Sequence, residues 1–384
     1  MLLHGLQLVL ALFTLCGIAF YVLALRSTYA FRLRTAPMAG SSPALSILKP
    51  LKGAESTTYQ ALRSHCVQKY GNYQIIFGVN DATDAAIPVV RRLIEEFPDL
   101  DIALVICTEV RGTNRKVSNL IHLLRQAKYE HILVNDGDIT VLPGYLSAVI
   151  ANFTGPEIGM VTCLYRGHSS SSLSSRLEAL GISTDFAPGV LTAHYLDDGL
   201  RFGLGSTMAM TRAALKKIGG FEAVVDYLAD DYQLGERISA VGFKVALASE
   251  IVETSIPPYS FRQFWEHQLR WARTMRVSRP TGYRGVGLSF GLAWAILLAI
   301  LAPQQWWTWT LFTAALGLRM AVAWTVGSAM LRDSQVSRDL WLLPLRDLIA
   351  LAVWIWSYAG DTVTWRGERF RLEQGRMRPM SSSH

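Results

Sequence analysis

Two carboxylates flank a glycine in Ile132-Leu133-Val134-Asn135-Asp136-Gly137-Asp138-Ile139. The apolar run before them reads as a buried strand, and loops at strand ends are where α/β folds place ligands. On a loop that Gly137 lets bend, Asp136 and Asp138 can both face one hard cation, Mg2+ or Mn2+, of the kind that usually holds the phosphates of a nucleotide. Ordinary strand-end turns are also rich in Asn, Asp and Gly, so the rest of the chain decides. Two further acidic loops line up with this one. Asp81 closes the run Gln74–Val79, and Asp230-Asp231 come after the Gly219-Gly220-Phe221 turn. A fourth element is Gln268-Leu269-Arg270-Trp271.

Composition indicates what must position these groups. The chain has 384 residues, 51% of them hydrophobic, and a mean hydropathy of +0.24. That is too apolar for an ordinary soluble enzyme and points to membrane segments around a folded domain. The net charge of +7 and the pI of about 9.3 are explained first by anionic lipid and the positive-inside rule. No Lys/Arg tract interleaved with aromatics marks a nucleic-acid module, so nucleic acid is not expected as a partner. Cys16, Cys66, Cys107 and Cys163 lack metal or redox spacing and read as free thiols in a reducing compartment.

Leu2 to Leu25 is nearly continuous apolar sequence, long enough to span a bilayer, and residues 1–25 form an anchor. Arg26, Arg32 and Arg34 put the domain after the anchor on the cytoplasmic side of the inner membrane. Residues 26–43 are a linker. From 44 to 260, apolar runs at Ala44–Leu48, Gln74–Val79, Ile102–Cys107 and Ile132–Val134 alternate with helical patterns at Ile87–Phe97 and Lys116–Ala127. Alternation of this kind predicts a doubly wound, mainly parallel sheet. Residues 261–285 are basic, aromatic and amphipathic, as befits a membrane surface. Residues 286–360 hold apolar segments at Val286–Ala302, Trp306–Met330 and Leu340–Gly360, with an interfacial belt at Trp306, Trp307 and Trp309. Arg319, Arg346 and Asp347 inside them are costly at that depth unless they face protein or an aqueous cavity. The arginine-rich tail, 361–384, is expected to be cytoplasmic. Three full spans would place it outside, so the third segment, with Pro344, is expected to be re-entrant or interfacial. The serines of Ser169–Ser175 read as a mobile loop.

The order and separation of these motifs resemble the family 2-like glycosyltransferases of the GT-A fold. The closer resemblance is to the ceramide glucosyltransferase family, family 21, and within it to bacterial glycosyltransferases associated with hopanoid biosynthesis. It is carried by Ser46-Ile47-Leu48-Lys49-Pro50-Leu51-Lys52-Gly53, Asn114-Arg115-Lys116-Val117-Ser118-Asn119-Leu120, Leu228-Ala229-Asp230-Asp231 and His267-Gln268-Leu269-Arg270-Trp271-Ala272-Arg273-Thr274. It covers about residues 44 to 280. Two departures stand out: His267 where the last motif usually has Gln or Arg, and Ala-Asp-Asp where the wider family has Thr-Glu-Asp.

The resemblance implies a UDP-sugar donor and a membrane-lipid acceptor, a ceramide or a hopanoid polyol, at the bilayer. Asp81 can then accept the imide N–H of uracil, or be a turn aspartate. Lys49 and Lys116 can neutralise the diphosphate as point charges, or be solvated surface lysines. Asp138, with Asp136, would ligate the Mg2+ or Mn2+ that offsets charge on the leaving group. Asp231 would be the general base for the acceptor hydroxyl, although acids favour helix N-termini in any case. Gly205, in Phe202–Thr207, would let backbone approach the sugar, or serve a simple turn. Arg270 would hold the diphosphate, with Asp230, His267, Gln268 and Trp271 on the acceptor side; a surface helix alone also wants Arg and Trp. His194 and His267 could be bases, but a lone histidine is more often structural.

A single displacement by an activated hydroxyl inverts the anomeric centre without a second carboxylate. The competing readings are a processive polysaccharide synthase, which needs more membrane helices than this chain has, and a non-catalytic membrane scaffold, against which the intact acids argue.

Overall fold

The computed structural model describes residues 2–35, 37, 42–365 and 367–380. Positions 36 and 38–41 of the expected linker, and 381–384 of the expected tail, lie outside the described residues. The order of strands is β1 (Leu45–Pro50), β2 (Tyr73–Val79), β3 (Asp101–Ile106), β4 (His131–Val134), β5 (Ile139–Thr140), β6 (Ile158–Ser169), β7 (Met208–Thr211) and β8 (Lys244–Ile256). They form one eight-stranded sheet in the order β3-β2-β1-β4-β7-β6-β8-β5. The β3-β2-β1-β4 half is parallel throughout, and β6 runs parallel to β8. β7 lies antiparallel between β4 and β6, and β5 antiparallel to β8. The fold is the mixed, mostly parallel α/β sheet expected of a GT-A domain.

β1 and β2 are buried along their whole length, as strands covered on both faces must be, and this is why they read as continuous apolar runs. Successive side chains go to opposite faces. Leu48 and Ile76 join Val117, Leu120 and Ile121 of the helix Arg115–Gln126 on one side. Ile47, Ile75 and Phe77 join Leu62, Val90 and Leu93 of the helices Thr58–Cys66 and Ala86–Glu96 on the other.

Three described helices are long and apolar enough to cross a membrane, Leu3–Arg32, Trp306–Met330 and Ser334–Ser357, or up to four if a bent pair counts as one. The first helix continues past Leu25 to Arg32, and Arg26 and Arg34, in and just beyond it, reach Tyr195 and His194. His194 thus sits against the anchor, beside the Phe31 ring. The bent pair is Pro280–Ser289 with Gly291–Leu301, at 51°. The bend thus falls in the first of the three C-terminal segments, whereas the third was the one expected to be re-entrant or interfacial. Gly291 there meets Gly17 of the anchor helix so closely that a Cβ on Gly17 would lie 2.1 Å from the Gly291 Cα, the tight backbone approach that small residues permit between apolar helices. Ser334–Ser357 carries Arg346 and Asp347 without a break because both are buried against other charged side chains.

The serine stretch is ordered by its own hydroxyls. Ser172 accepts the backbone N–H of Ser175 and caps the helix Leu173–Gly181, which continues through the π-turn Ile182–Phe186 into Ala187–Leu196. The basic tail is a three-stranded antiparallel sheet, β9 (Thr362–Trp365), β10 (Glu368–Glu373) and β11 (Arg376–Pro379). Val363, Phe370, Leu372 and Met377 pack with Leu228, and Met377 N donates to Asp226 O at 2.8 Å. The tail therefore stands on the same side of the membrane helices as the sheet.

Candidate active site

The sheet changes from parallel to antiparallel at β4. Val134 pairs with Leu48 on one side and Met208 on the other, so the loops after β1, after β4 and before β7 converge there, the usual place for a ligand in an open α/β sheet. Asn135 is fully buried, and its amide donates to Ser206 O at 2.7 Å and to the Tyr145 hydroxyl at 2.8 Å. These bonds lock the Asp136–Asp138 turn to the Gly205 loop. Lys49, at the end of β1 and wholly buried, donates to Asp136 O at 2.9 Å.

The Asn114-Arg115-Lys116 motif supplies the opposite wall. The Asn114 side-chain oxygen accepts the N–H groups of Lys116 and Val117, capping the helix, while its amide donates to Tyr227 O at 2.8 Å and Asp230 Oδ1 at 3.4 Å. One asparagine thereby ties the helix Arg115–Gln126 to the Asp230 helix (Asp230–Ala240). Lys116 Nζ lies 2.7 Å from Asp136 Oδ1 and 3.1 Å from Asp230 Oδ2. Asp136, Asp230 and Asp231 hold its ammonium well above the usual lysine range, against a burial effect that on its own would lower it.

Asp231 faces the other way. Its Oδ2 accepts the Gly205 N–H at 2.9 Å and its Oδ1 the Tyr232 N–H at 2.7 Å. Gly205 packs closely on both acids: a Cβ there would lie 3.2 Å from Asp231 Oδ2 and 3.3 Å from Asp136 Oδ2. Burial, then repulsion from Asp230, pushes the Asp231 carboxyl up to about 6, with Lys116 opposing. Asp138 is raised by burial and by Asp136, and it accepts the hydroxyl of Thr254. Lys49 is lowered to about 7 by burial, with Asp138 and Asp136 pulling it back.

The fold thus brings Lys49, Lys116, Asp136, Asp138, Gly205, Asp230 and Asp231 together. Asp81 is exposed at the end of β2; it accepts the Thr83 N–H and hydroxyl, both at 2.8 Å, and these bonds lower its carboxyl. It makes no hydrogen bond or ion pair to the cluster among the described residues. On the helix Phe261–Ser278, Arg270 and Trp271 are half-buried. His267 Nδ1 lies 3.0 Å from Glu178 Oε2, and its ring packs at 4.8 Å on Trp271 and 5.6 Å on Tyr259. Gln268 Oε1 accepts from Arg346 at 3.3 Å, so it points to the last membrane helix.

Tyr165 and Glu178 escaped the sequence reading. Tyr165, on β6, is held well above the usual phenol range by burial first and then by the charges of Asp231, Asp136, Glu178 and Asp138. Glu178 is buried, a lone acid in Leu177-Glu178-Ala179-Leu180; an acid amid an apolar helical run was the available signal.

Asp136 and Asp138 offer carboxylate oxygens of the kind a hard cation takes. Among the described residues no group of three or more His, Cys, Asp or Glu could hold a metal. The pair still fits Mg2+ or Mn2+, because such ions are held by one or two carboxylates and complete their shell with substrate phosphates and water. Asp138 is raised by burial first and then by Asp136, and the repulsion between the two carboxylates favours a cation beside them.

The model of glycosyl transferase family 21 matches residues 9–378. The chain belongs to that family. Among curated family relatives, it is 26% identical to ceramide glucosyltransferase 1 of Caenorhabditis elegans over 239 residues, 62% of this chain and 51% of that protein. To ceramide glucosyltransferase 3 of the same organism it is 27% identical over 270 residues, 70% and 58% of the two chains. The chain thus spans a little over half the length of these relatives. Among solved structures, the mannosyltransferase PcManGT of Pyrobaculum calidifontis, in complex with GDP-Man and Mn2+, superposes with a TM-score of 0.58 at 18% identity, covering 93% of this chain and 98% of that one. At that identity the likeness speaks for the fold alone.

Proposed function

We propose that this family 21 member is a membrane-bound, inverting hexosyltransferase that moves glucose or N-acetylglucosamine from a UDP-sugar to a hydroxyl of a membrane lipid. The reading rests above all on Asp231, a half-buried carboxylate with a pKa pushed up to about 6, held by the Gly205 N–H beside the Asp136–Lys116 pair. It is supported by membrane-type helices packed on the same domain and by relatives named as ceramide glucosyltransferases. The acceptor is a ceramide or a hopanoid polyol, in glycosphingolipid or hopanoid biosynthesis. The sheet and the tail face the cytoplasm from the inner membrane.

In this reading Asp231 takes the proton of the acceptor hydroxyl as its oxygen attacks the anomeric carbon. The bond from that carbon to the diphosphate breaks, its electron pair leaves with UDP, and configuration inverts. A base placed this way contributes about 10²–10⁴-fold. Asp138 and Asp136 would hold a Mg2+ or Mn2+ that neutralises charge on the departing diphosphate. Lys49, Lys116 and Arg270 add positive charge around it, Asp81 holds the uracil, and Trp271 with His267 borders the acceptor.

The test is the mass of the lipid product when purified protein receives each UDP-sugar with each lipid in turn. A lipid carrying one added hexose supports the proposal. Polymer made from UDP-sugar alone would point to a processive synthase, and no lipid-dependent UDP release would sink the transferase reading.

A further inference from the structure

Arg319 and Arg346 are buried arginines within the membrane-type helices, and their surroundings differ. Arg319 is fully served: Nε donates to Asp347 at 2.9 Å, Nη1 to Thr184 O at 2.8 Å, and Nη2 to Asp347 at 2.8 Å and to Asp185. Arg346 is 7% exposed and uses only Nη2, which reaches Gln268 Oε1 and Asp185 Oδ2, each at 3.3 Å. Its Nε and Nη1 are buried with no hydrogen-bond partner among the described residues. Orphaned guanidinium donors are costly, and native interiors rarely leave them so without a ligand or water.

The arginine is also deliberately accommodated. Gly181 leaves the space: a Cβ there would fall 2.3 Å from Arg346 Nη2 and 2.5 Å from Nε. Gly181 lies on the face of its helix that carries Glu178 one turn before it and Asp185 one turn after it. Glu178 meets His267, and Tyr165 packs with Trp271 on the neighbouring Ala179 and Ile182. Polar contacts thus run from Glu178 and His267, through the adjacent Gln268, to Arg346 between the catalytic domain and the membrane helices. The His267 side chain is 19% exposed.

We infer that Arg346 is an acceptor-binding residue: its free Nε and Nη1 donate to a neutral oxygen of the lipid headgroup, an amide carbonyl or a second hydroxyl. The reacting hydroxyl lies at Asp231. This inference rests on the function proposed above and deepens it. Neutral oxygen is favoured over phosphate by charge. Arg319 and Arg346 are already balanced by Asp185 and Asp347, so a phosphate would bring an uncompensated charge into a buried place.

Two variants test it. Arg346→Lys keeps the charge beside Asp185 but loses the planar Nε and Nη1 donors. Gly181→Ala drives the guanidinium out while leaving a good helix former in place. Each is made in the full chain in neutral-lipid nanodiscs, and acceptor KM, UDP-sugar KM and UDP affinity are measured together. The expected result is an acceptor KM raised about tenfold or more, as for loss of a hydrogen bond to a charged group, with UDP-sugar KM and UDP affinity unchanged. An acceptor KM that stays at the wild-type value in both variants would overturn the inference, as would competition for the site by added anionic phospholipid in the wild type. If the wild type itself transfers no sugar to lipid, the proposed function fails first, and the two failures are distinct.

Discussion

Asp230 and Lys116 form a buried ion pair, with Oδ2 and Nζ 3.1 Å apart and both side chains at least nine-tenths covered. The same ammonium touches Asp136 at 2.7 Å. Asp230 is therefore committed to a structural cation, whereas the adjacent Asp231 is held only by backbone N–H groups. Breaking a buried pair by removing one partner strands the other charge, at about 3–5 kcal/mol. Lys116→Met should lower thermal stability by an amount of that order, and Lys116→Met with Asp230→Leu should recover much of it. Thermal unfolding in detergent reads both; a single variant as stable as the wild type would show that the pair carries no structural weight.

The pH dependence is set by Asp231. A base works deprotonated, so kcat should fall as pH drops through about 6. The contribution to folding has the opposite sign. The folded carboxyl binds its proton more tightly than the unfolded one, so this group stabilises the fold increasingly as pH falls from about 6 towards 4. A kcat profile that stays flat from pH 5 to 8 would remove Asp231 from the role of base.

Cation dependence is expected to run through the Asp136–Asp138 turn. Activity should be lost in EDTA and restored by Mg2+ or Mn2+. Asp138→Ala should lose turnover together with that restoration, because one carboxylate is left. Near-normal turnover of Asp138→Ala in EDTA would show that the turn holds no cation.

Topology is tested at the tail. Arg376 Nε donates to the Tyr227 hydroxyl at 3.2 Å, and β11 bonds to Asp226. A cysteine at position 376 should therefore be shielded from an impermeant thiol reagent in intact cells, as should one placed at Arg201 on the catalytic domain. Labelling of one but not the other would contradict the packing; labelling of both would reverse the orientation.

The parallel half of the sheet was legible because strands buried on both faces must be apolar throughout, as Ser46–Leu48 and Gln74–Val79 largely are. The acidic loops were legible because the acids come directly after those runs. Two things were not. Side-chain direction at consecutive positions, Asp230 toward Lys116 and Asp231 toward Gly205, depends on Asn114, which is distant in sequence. The path of the membrane segments depends on contacts no hydropathy window sees, Gly17 on Gly291 and Arg319 with Asp185 and Asp347. For the same reason the segment with Arg346 and Asp347 was expected to be re-entrant or interfacial, although those charges meet Arg319 and Asp185 there.

The most direct measurement compares Asp231→Asn with Asp230→Asn for turnover and UDP affinity, side by side. Asparagine keeps the size and one of the two accepted backbone hydrogen bonds but accepts no proton at useful pH. A base worth about 10²–10⁴-fold corresponds to about 3–5 kcal/mol of barrier. Asp231→Asn should lose turnover by that factor or more while binding UDP as the wild type does, and Asp230→Asn should lose far less. If Asp230→Asn is the dead variant and Asp231→Asn is mild, the base is the neighbouring residue; if both keep wild-type turnover, neither carboxylate takes the acceptor proton.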